Sequence, residues 1–277
     1  MHHTADYMTF FSAFADLAPI SLLSFFFLAL TRIAPLVAFA PFLGAKLPGA
    51  AKMGLAISLT IILLPHVIVS AGKFVTFGPD YIAILLKEFL IGMIIAILSS
   101  IPFYIAESAG TLIDFLRGSS ALAVTDPIMQ TQISPIGLLY NYVLIVMFFQ
   151  IEGPVIILDA FMQSYDIVPA DQFVNSTFFS LNVPFWQTIV TMLTRVTAVS
   201  IQLAAPSLLA ILMTEMFLGI ANRLAPQVQI AFLGMSVKSL VGIALLWAAW
   251  FFILKQMGKQ STFWLQDVTK ILPNLKI

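Results

Sequence analysis

Ionised side chains are scarce in this sequence: Lys, Arg, Asp and Glu together make up 9% of its 277 residues, against about 25% in an ordinary soluble domain. Such a surface could not be hydrated as a soluble globular enzyme's is. The 13 basic and 13 acidic residues cancel, so no surplus charge exists to hold nucleic acid or a polyanionic substrate. Cysteine is missing altogether, which excludes a disulfide framework, a thiolate zinc site, an iron-sulfur cluster and a cysteine nucleophile together. Catalytic patterns are missing as well: there is no Ser and His pairing of the intramembrane protease kind, no His-Glu-x-x-His helix and no Gly-x-Gly-Asp element. A phosphate-binding loop, a dinucleotide glycine pattern and a His-rich metal cluster are equally missing. His66, alone after Pro65 at the end of an apolar run, reads as an interfacial, satisfied side chain rather than a ligand. Neither catalysis nor a cofactor or metal is expected.

What is present is apolar. The chain is 60% hydrophobic, its mean hydropathy is +1.02, and its uncharged runs approach the roughly 20 residues needed to cross a bilayer. These runs are Met53 to Gly72, Phe89 to Ala106, Pro127 to Ile151, Val196 to Thr214 and Ser239 to Leu254, with a further one from Ile20 to about Phe42 that contains Arg32. An ionised group at bilayer depth costs on the order of 3 kcal/mol on translocon scales, so charges bound these segments. The expected fold is an all-α membrane protein of about six to eight apolar helices, because strands without barrel-like alternation cannot satisfy their own backbone in such a setting. Short turn-rich connections separate the runs, among them the Ser164 to Asn182 stretch and Asn222 to Gln227. No Lys or Arg precedes Arg32, so no cleaved signal peptide is read. After Leu254 four lysines stand against Asp267, which favours a cytoplasmic tail under the positive-inside rule.

Several apolar segments carry interruptions unlike those of a simple span. Arg32-Ile33-Ala34-Pro35 is followed by Ala40-Pro41, Pro102 by Glu107, Asp114 and Arg117, and Ala205-Pro206 by Glu215. Broken backbone survives at membrane depth only under cover of other protein or water, so much of the chain is expected to be packed against partners. Glu107 and Asp114 are seven residues apart and share a helix face, and Asp114 and Arg117 are spaced to pair on it. Thr188, Thr191, Arg195 and Gln202 form a second polar stripe and Glu215, Gly219 and Asn222 a third. Such stripes line a conduit, meet a partner's charges, or glue helices internally.

Ala205-Pro206, Glu215-Met216-Phe217-Leu218-Gly219, Asn222-Arg223-Leu224-Ala225-Pro226-Gln227, Gln229, Phe232 and Lys238 resemble, in order and spacing, the signature of the inner-membrane export-gate proteins. These are called FliR in flagella and SctT (YscT, SpaR or EscT) in type III injectisomes. Arg32-x-x-Pro35, Ala40-Pro41, Pro48 and Lys52-x-Gly54-Leu55 resemble the family's first loop region, Gly92, Glu107, Gly110 and Arg117-Gly118 its central one, and Gly153, Ser164 and Pro169 a later loop. Glu215 and Asp114-Phe115-Leu116-Arg117-Gly118 look more like the injectisome branch. The resemblance implies a structural subunit of a protein-conducting gate in the bacterial inner membrane, arranged as helical hairpins in a hetero-oligomer. Its implied partners are the two other small export-gate membrane subunits, the large export-gate protein, the switch/autoprotease subunit, a cytoplasmic ATPase and the unfolded exported proteins, with membrane lipid around them.

On that resemblance residues 1–277 form one helical export-gate domain: 1–182 are similar to the larger of the small gate subunits, 183–256 form a hairpin similar to the smaller one, and 257–277 are a cytoplasmic tail. The gate and assembly candidates are Glu215, Asn222, Arg223, Pro226, Gln227, Lys238, Glu107, Asp114, Arg117 and Arg32. Asn222 to Gln227 is expected to be a tight connection with Pro226 at the start of the second helix, where a missing donor is harmless. Glu215 lies eleven residues before Pro226 and Lys238 twelve after it, so an antiparallel hairpin sets them at similar depth. Either they pair, or each faces water or a neighbour independently. A secondary transporter, with its midplane site built from broken helices and intramembrane charges, is the competing reading.

Overall fold

The computed structural model describes residues 19–44, 47–73, 75–118, 134–172, 184–224 and 230–271. Among the described residues there is no strand, and seven α-helices follow one another: α1 (Pro19–Phe39), α2 (Gly49–Ser70), α3 (Pro79–Arg117), α4 (Pro135–Gln150), α5 (Gly153–Ile167), α6 (Pro184–Leu224) and α7 (Ile230–Ile271). Five helices are long and apolar enough to cross a membrane, and α4 with α5 makes a sixth crossing if the pair is one broken span. The all-α expectation of six to eight apolar helices therefore holds. The local signals are legible. Ser134 caps α4 by accepting from Gly137 N at 2.9 Å, with Pro135 in the first turn. A two-residue break at Ile151–Glu152 separates α4 from α5, and Glu152 adopts φ 57° there, a left-handed conformation uncommon for a residue with a Cβ.

The interruptions expected at proline and three boundaries differ from the sequence reading. Helix runs on through Pro35, Pro102 and Pro206, because in apolar surroundings losing one main-chain bond costs less than unpairing a whole turn. Ser164 belongs to α5, and Asn222 and Arg223 to α6, so both connections begin later than their polar residues suggested. The tail expected from residue 257 is helical to Ile271, where buried Met257, Trp264 and Leu265 give it an apolar side. Residues 127–133 of the Pro127 run lie outside the described residues, as do Pro226 and Gln227.

The chain divides into two compact units, one of residues 1–101, 152–190 and 264–277, the other of residues 102–151 and 191–263. Within the first, α1 packs on α2 and α2 on α5. Tyr81 Oη donates to Ser24 O at 2.8 Å and Ser100 Oγ to Phe39 O at 3.3 Å, a nearly constant offset that sets α1 and the first part of α3 side by side in parallel. They touch at Gly92, where an added Cβ would overlap the Arg32 main chain. Trp264 Nε1 donates to Leu98 O at 2.9 Å.

Within the second unit, the end of α3 crosses α4 at Gly110 and Gly137, backbone against backbone, the close approach that small residues permit in membranes. α6 and α7 form an antiparallel hairpin. A Cβ on Gly234 would lie 3.3 Å from Leu218 Cδ1 and one on Gly242 would lie 3.1 Å from Ile211 Cδ1, so opposed residue numbers keep a constant sum.

These contacts make two glycines respond oppositely to the same methyl group. Gly110→Ala should cost about 1 to 3 kcal/mol, since α4 must retreat. Gly219→Ala, in open space on α6, should be neutral or stabilise by up to about 1 kcal/mol through helix propensity. Melting of the detergent-solubilised chain checks both.

Candidate functional site

Charged side chains inside apolar helices are the sites this fold offers, and each unit treats them differently. In the first unit Arg32 of α1 is fully buried against fully buried Glu88 of α3. Its Nε donates to Glu88 Oε2 at 2.5 Å and its Nη2 to Glu88 Oε1 at 2.8 Å, the two-pronged geometry that a planar guanidinium suits. Nη2 also donates to Val168 O at 2.9 Å and Nη1 to Ser164 Oγ at 3.1 Å. The guanidinium carbon lies 3.9 Å from the Tyr165 ring centroid, so a π face covers it too. Lys87 Nζ reaches Glu88 Oε1 at 2.7 Å and donates to the carbonyls of Pro169 at 2.8 Å, Ala170 at 3.3 Å and Gln172 at 2.8 Å. One carboxylate with two cations thus ties the exit of α5 to α1 and α3.

Arg32 was singled out from the sequence, while Glu88, Lys87, Ser164 and Tyr165 were not given its role. The missed signal is that an arginine inside an apolar run needs a counter-ion. Glu88 stands immediately before the uncharged run that starts at Phe89, so it reads as a flank although it lies inside α3. His66 Nε2 lies 3.2 Å from Met162 O and 3.3 Å from Asp166 Oδ1, the contacts of a satisfied side chain.

In the second unit Asp114 is saturated. It accepts from Arg117 Nη2 at 2.6 Å, Ser134 Oγ at 2.5 Å and Ile136 N at 2.9 Å. The expected Asp114 and Arg117 pair is therefore present, and the carboxylate also holds the N-terminus of α4, where anions are favoured. Glu107, seven residues earlier, is exposed and accepts from Asn141 Nδ2 at 3.3 Å. In the hairpin Lys238 Nζ donates to Glu215 Oε1 at 2.5 Å. Of the two alternatives left open by the sequence, these residues take the paired one, with Lys238 the more covered at 20% exposure against 54% for Glu215. Asn222 and Arg223 are exposed in the last turn of α6. Thr191, Arg195 and Gln202 are exposed on α6 as well, while the side chain of Thr188 is outside the described residues. Among the described residues no three His, Asp or Glu side chains are placed to hold a metal ion.

Apolar helices carrying neutralised charge and wide exposed apolar faces define an integral membrane component. The family description "Bacterial export proteins, family 1" matches residues 23–263, and the chain belongs to that family. It is a multi-pass protein of the bacterial inner membrane. Among its relatives, "Surface presentation of antigens protein SpaR" of Shigella flexneri is 30% identical over 216 residues, covering 76% of this chain and 79% of that protein. "Yop proteins translocation protein T" of Yersinia pestis is 28% identical over 190 residues, 69% and 71% of the two chains. "Flagellar biosynthetic protein FliR" of Escherichia coli is 23% identical over 233 residues, 82% and 84%.

The buried cluster makes a sharp energetic prediction. Glu88→Ala should cost about 3 to 5 kcal/mol, because Arg32 and Lys87 then lose their shared carboxylate away from water, and Arg32→Ala should cost less, because Lys87 still pairs with Glu88. The apolar triple substitution Arg32→Met, Lys87→Met and Glu88→Leu, which leaves no charge of the cluster behind, should cost less than Glu88→Ala. Denaturant titration of the chain in mild detergent gives all three values.

Proposed function

We propose that this protein is a structural, non-enzymatic subunit of a type III secretion export gate, helping to line the path by which unfolded proteins cross the inner membrane. The family match across residues 23–263 carries this reading, and the injectisome and flagellar relatives on either side of it support it. Large apolar side chains left open on α6 and α7, among them Phe217 at 70%, Leu224 at 81%, Trp247 at 80% and Phe252 at 70% exposure, suit a chain whose surface meets lipid and sister subunits. The partners in this reading are the two other small gate subunits, the large export-gate protein and the switch/autoprotease subunit. Residues 1–182 take the place of the larger small subunit and 183–256 that of the smaller, with 257–277 turned to the cytoplasm.

Glu215, Asn222, Arg223, Pro226, Gln227 and Lys238 then act in subunit contacts or in holding the gate closed. Glu215 and Lys238 join α6 to α7 by charge, and a half-exposed pair of this kind is worth little in water but more where lipid or protein excludes it. The test is charge reversal scored by secretion in the native host. Glu215→Lys should impair secretion by about tenfold or more, and adding Lys238→Glu should restore part of it, as a coupled pair requires. Secretion that stays low in the double variant, with both proteins inserted at normal levels, would remove the pair from the mechanism. Purification in mild detergent separates the reading from a transporter: a gate subunit is of low stability alone and is stabilised by its sister subunits, whereas a transporter is as stable alone or with copies of itself and binds a solute.

A further inference from the structure

Glu107 is an expected site residue whose surroundings leave it incomplete. It stands ten residues from the end of α3, about 15 Å into an apolar helix, and its carboxylate accepts a single 3.3 Å bond from Asn141. Among the described residues no cation lies within ion-pair distance of it. Around it lies an open groove of about 720 Å³ formed by α3 and α6, with Tyr104, Thr111, Phe115, Thr197 and Ser200 in its walls.

Glu107 is the one ionisable carboxylate among the groove's lining residues, which include no Lys, Arg or His. Thr111 Oγ1 donates to Glu107 O at 2.8 Å, and Ser200 Oγ lies 2.8 Å from Val196 O and 3.3 Å from Ile105 O. Their hydrogens are committed to main-chain carbonyls, so they offer lone pairs to an occupant. A carboxylate with one long hydrogen bond and no cation beside it, in a largely apolar cleft, is best completed by a donor that is also a cation. The groove's α3 wall runs from Tyr104 to Phe115, eleven residues and so about 16 Å or three helical turns. That length suits a helix, where a small amine would need one turn of wall.

We propose that the groove between α3 and α6 seats one membrane helix of a neighbouring export-apparatus subunit, apolar along its length except for a Lys or Arg side chain that pairs with Glu107. This rests on the export-gate reading above and adds the surface and the chemistry of the partner. Asp114, with an arginine, a serine and a backbone donor of its own, needs nothing from outside, and the contrast with Glu107 singles out the docking point.

The experiment co-expresses the tagged full-length chain with the export-apparatus membrane subunits of its own host and measures how much of each co-purifies in mild detergent. Glu107→Gln, Glu107→Lys and the groove-filling Thr197→Trp should each lower recovery of one subunit by about tenfold, as truncating a desolvated charge contact does, while Glu107→Asp keeps most of it. A photo-crosslinker at Thr197 should then mark a helix of that subunit, and reversing the cation found there should rescue Glu107→Lys. Equal membrane levels and equal helical circular dichroism for the variants keep misfolding apart from lost docking. Undiminished recovery with all three variants, or a crosslinker at Thr197 that marks no neighbour, overturns the docking proposal while the export-gate reading stands. The same pattern together with binding of a small organic amine that Glu107→Gln abolishes gives the groove to a solute and also overturns it. Wild-type chain that recovers no export-apparatus subunit at all overturns the gate reading, and the proposed occupant with it.

Discussion

An ionised group at membrane depth must be given a partner, and this chain is organised around that requirement. Bare exposure to hydrocarbon costs several kcal/mol, more than the margin of one or two kcal/mol by which single substitutions commonly unbalance a fold. Arg32 shows the fullest answer, with Glu88, a serine, a carbonyl and an aromatic face closing every side of the guanidinium. Because Arg32 lies on α1 and those partners come from α3, α5 and the residue just after α5, neutralising one charge also decides which helices are neighbours in the first unit.

The close helix contacts follow from small residues placed beside those charges. Gly92 lets α3 reach the Arg32 backbone, four residues along α3 from Glu88, so approach and ion pair are parts of one contact. In the second unit Gly110 and Gly137 allow the crossing that brings Asp114 to the first turn of α4. In each case a missing side chain shortens the distance and a carboxylate uses it. Helix association in lipid has little hydrophobic driving force, so close packing and polar bonds must supply the specificity.

Charges nearer the surface are handled less completely, which is what an assembly component requires. Glu215 and Lys238 neutralise each other across the hairpin yet Glu215 remains about half exposed. A protein that closed every polar contact internally would leave a neighbour nothing to recognise except apolar surface, which lipid matches equally well. Residual polarity therefore gives specificity to contacts that apolar area alone would leave undirected.

The sequence by itself determined the class. Apolar runs and scarce charge force helices. The spacing of Asp114 with Arg117 already contains one pair, and that of Glu215 and Lys238 about Pro226 sets the two at one depth while leaving open whether they pair. These were legible because helix periodicity and a hairpin's symmetry convert residue number directly into position. Only the tertiary structure decided that Arg32 meets Glu88, 56 residues away, and that Lys87 holds carbonyls after α5, since no local period links residues on separate helices. It also decided that α6 continues through Asn222 and α7 through to Ile271. Polar residues there look like turns in a sequence, but turn residues only permit a break, and the packing of the neighbouring helical segments decides whether one occurs.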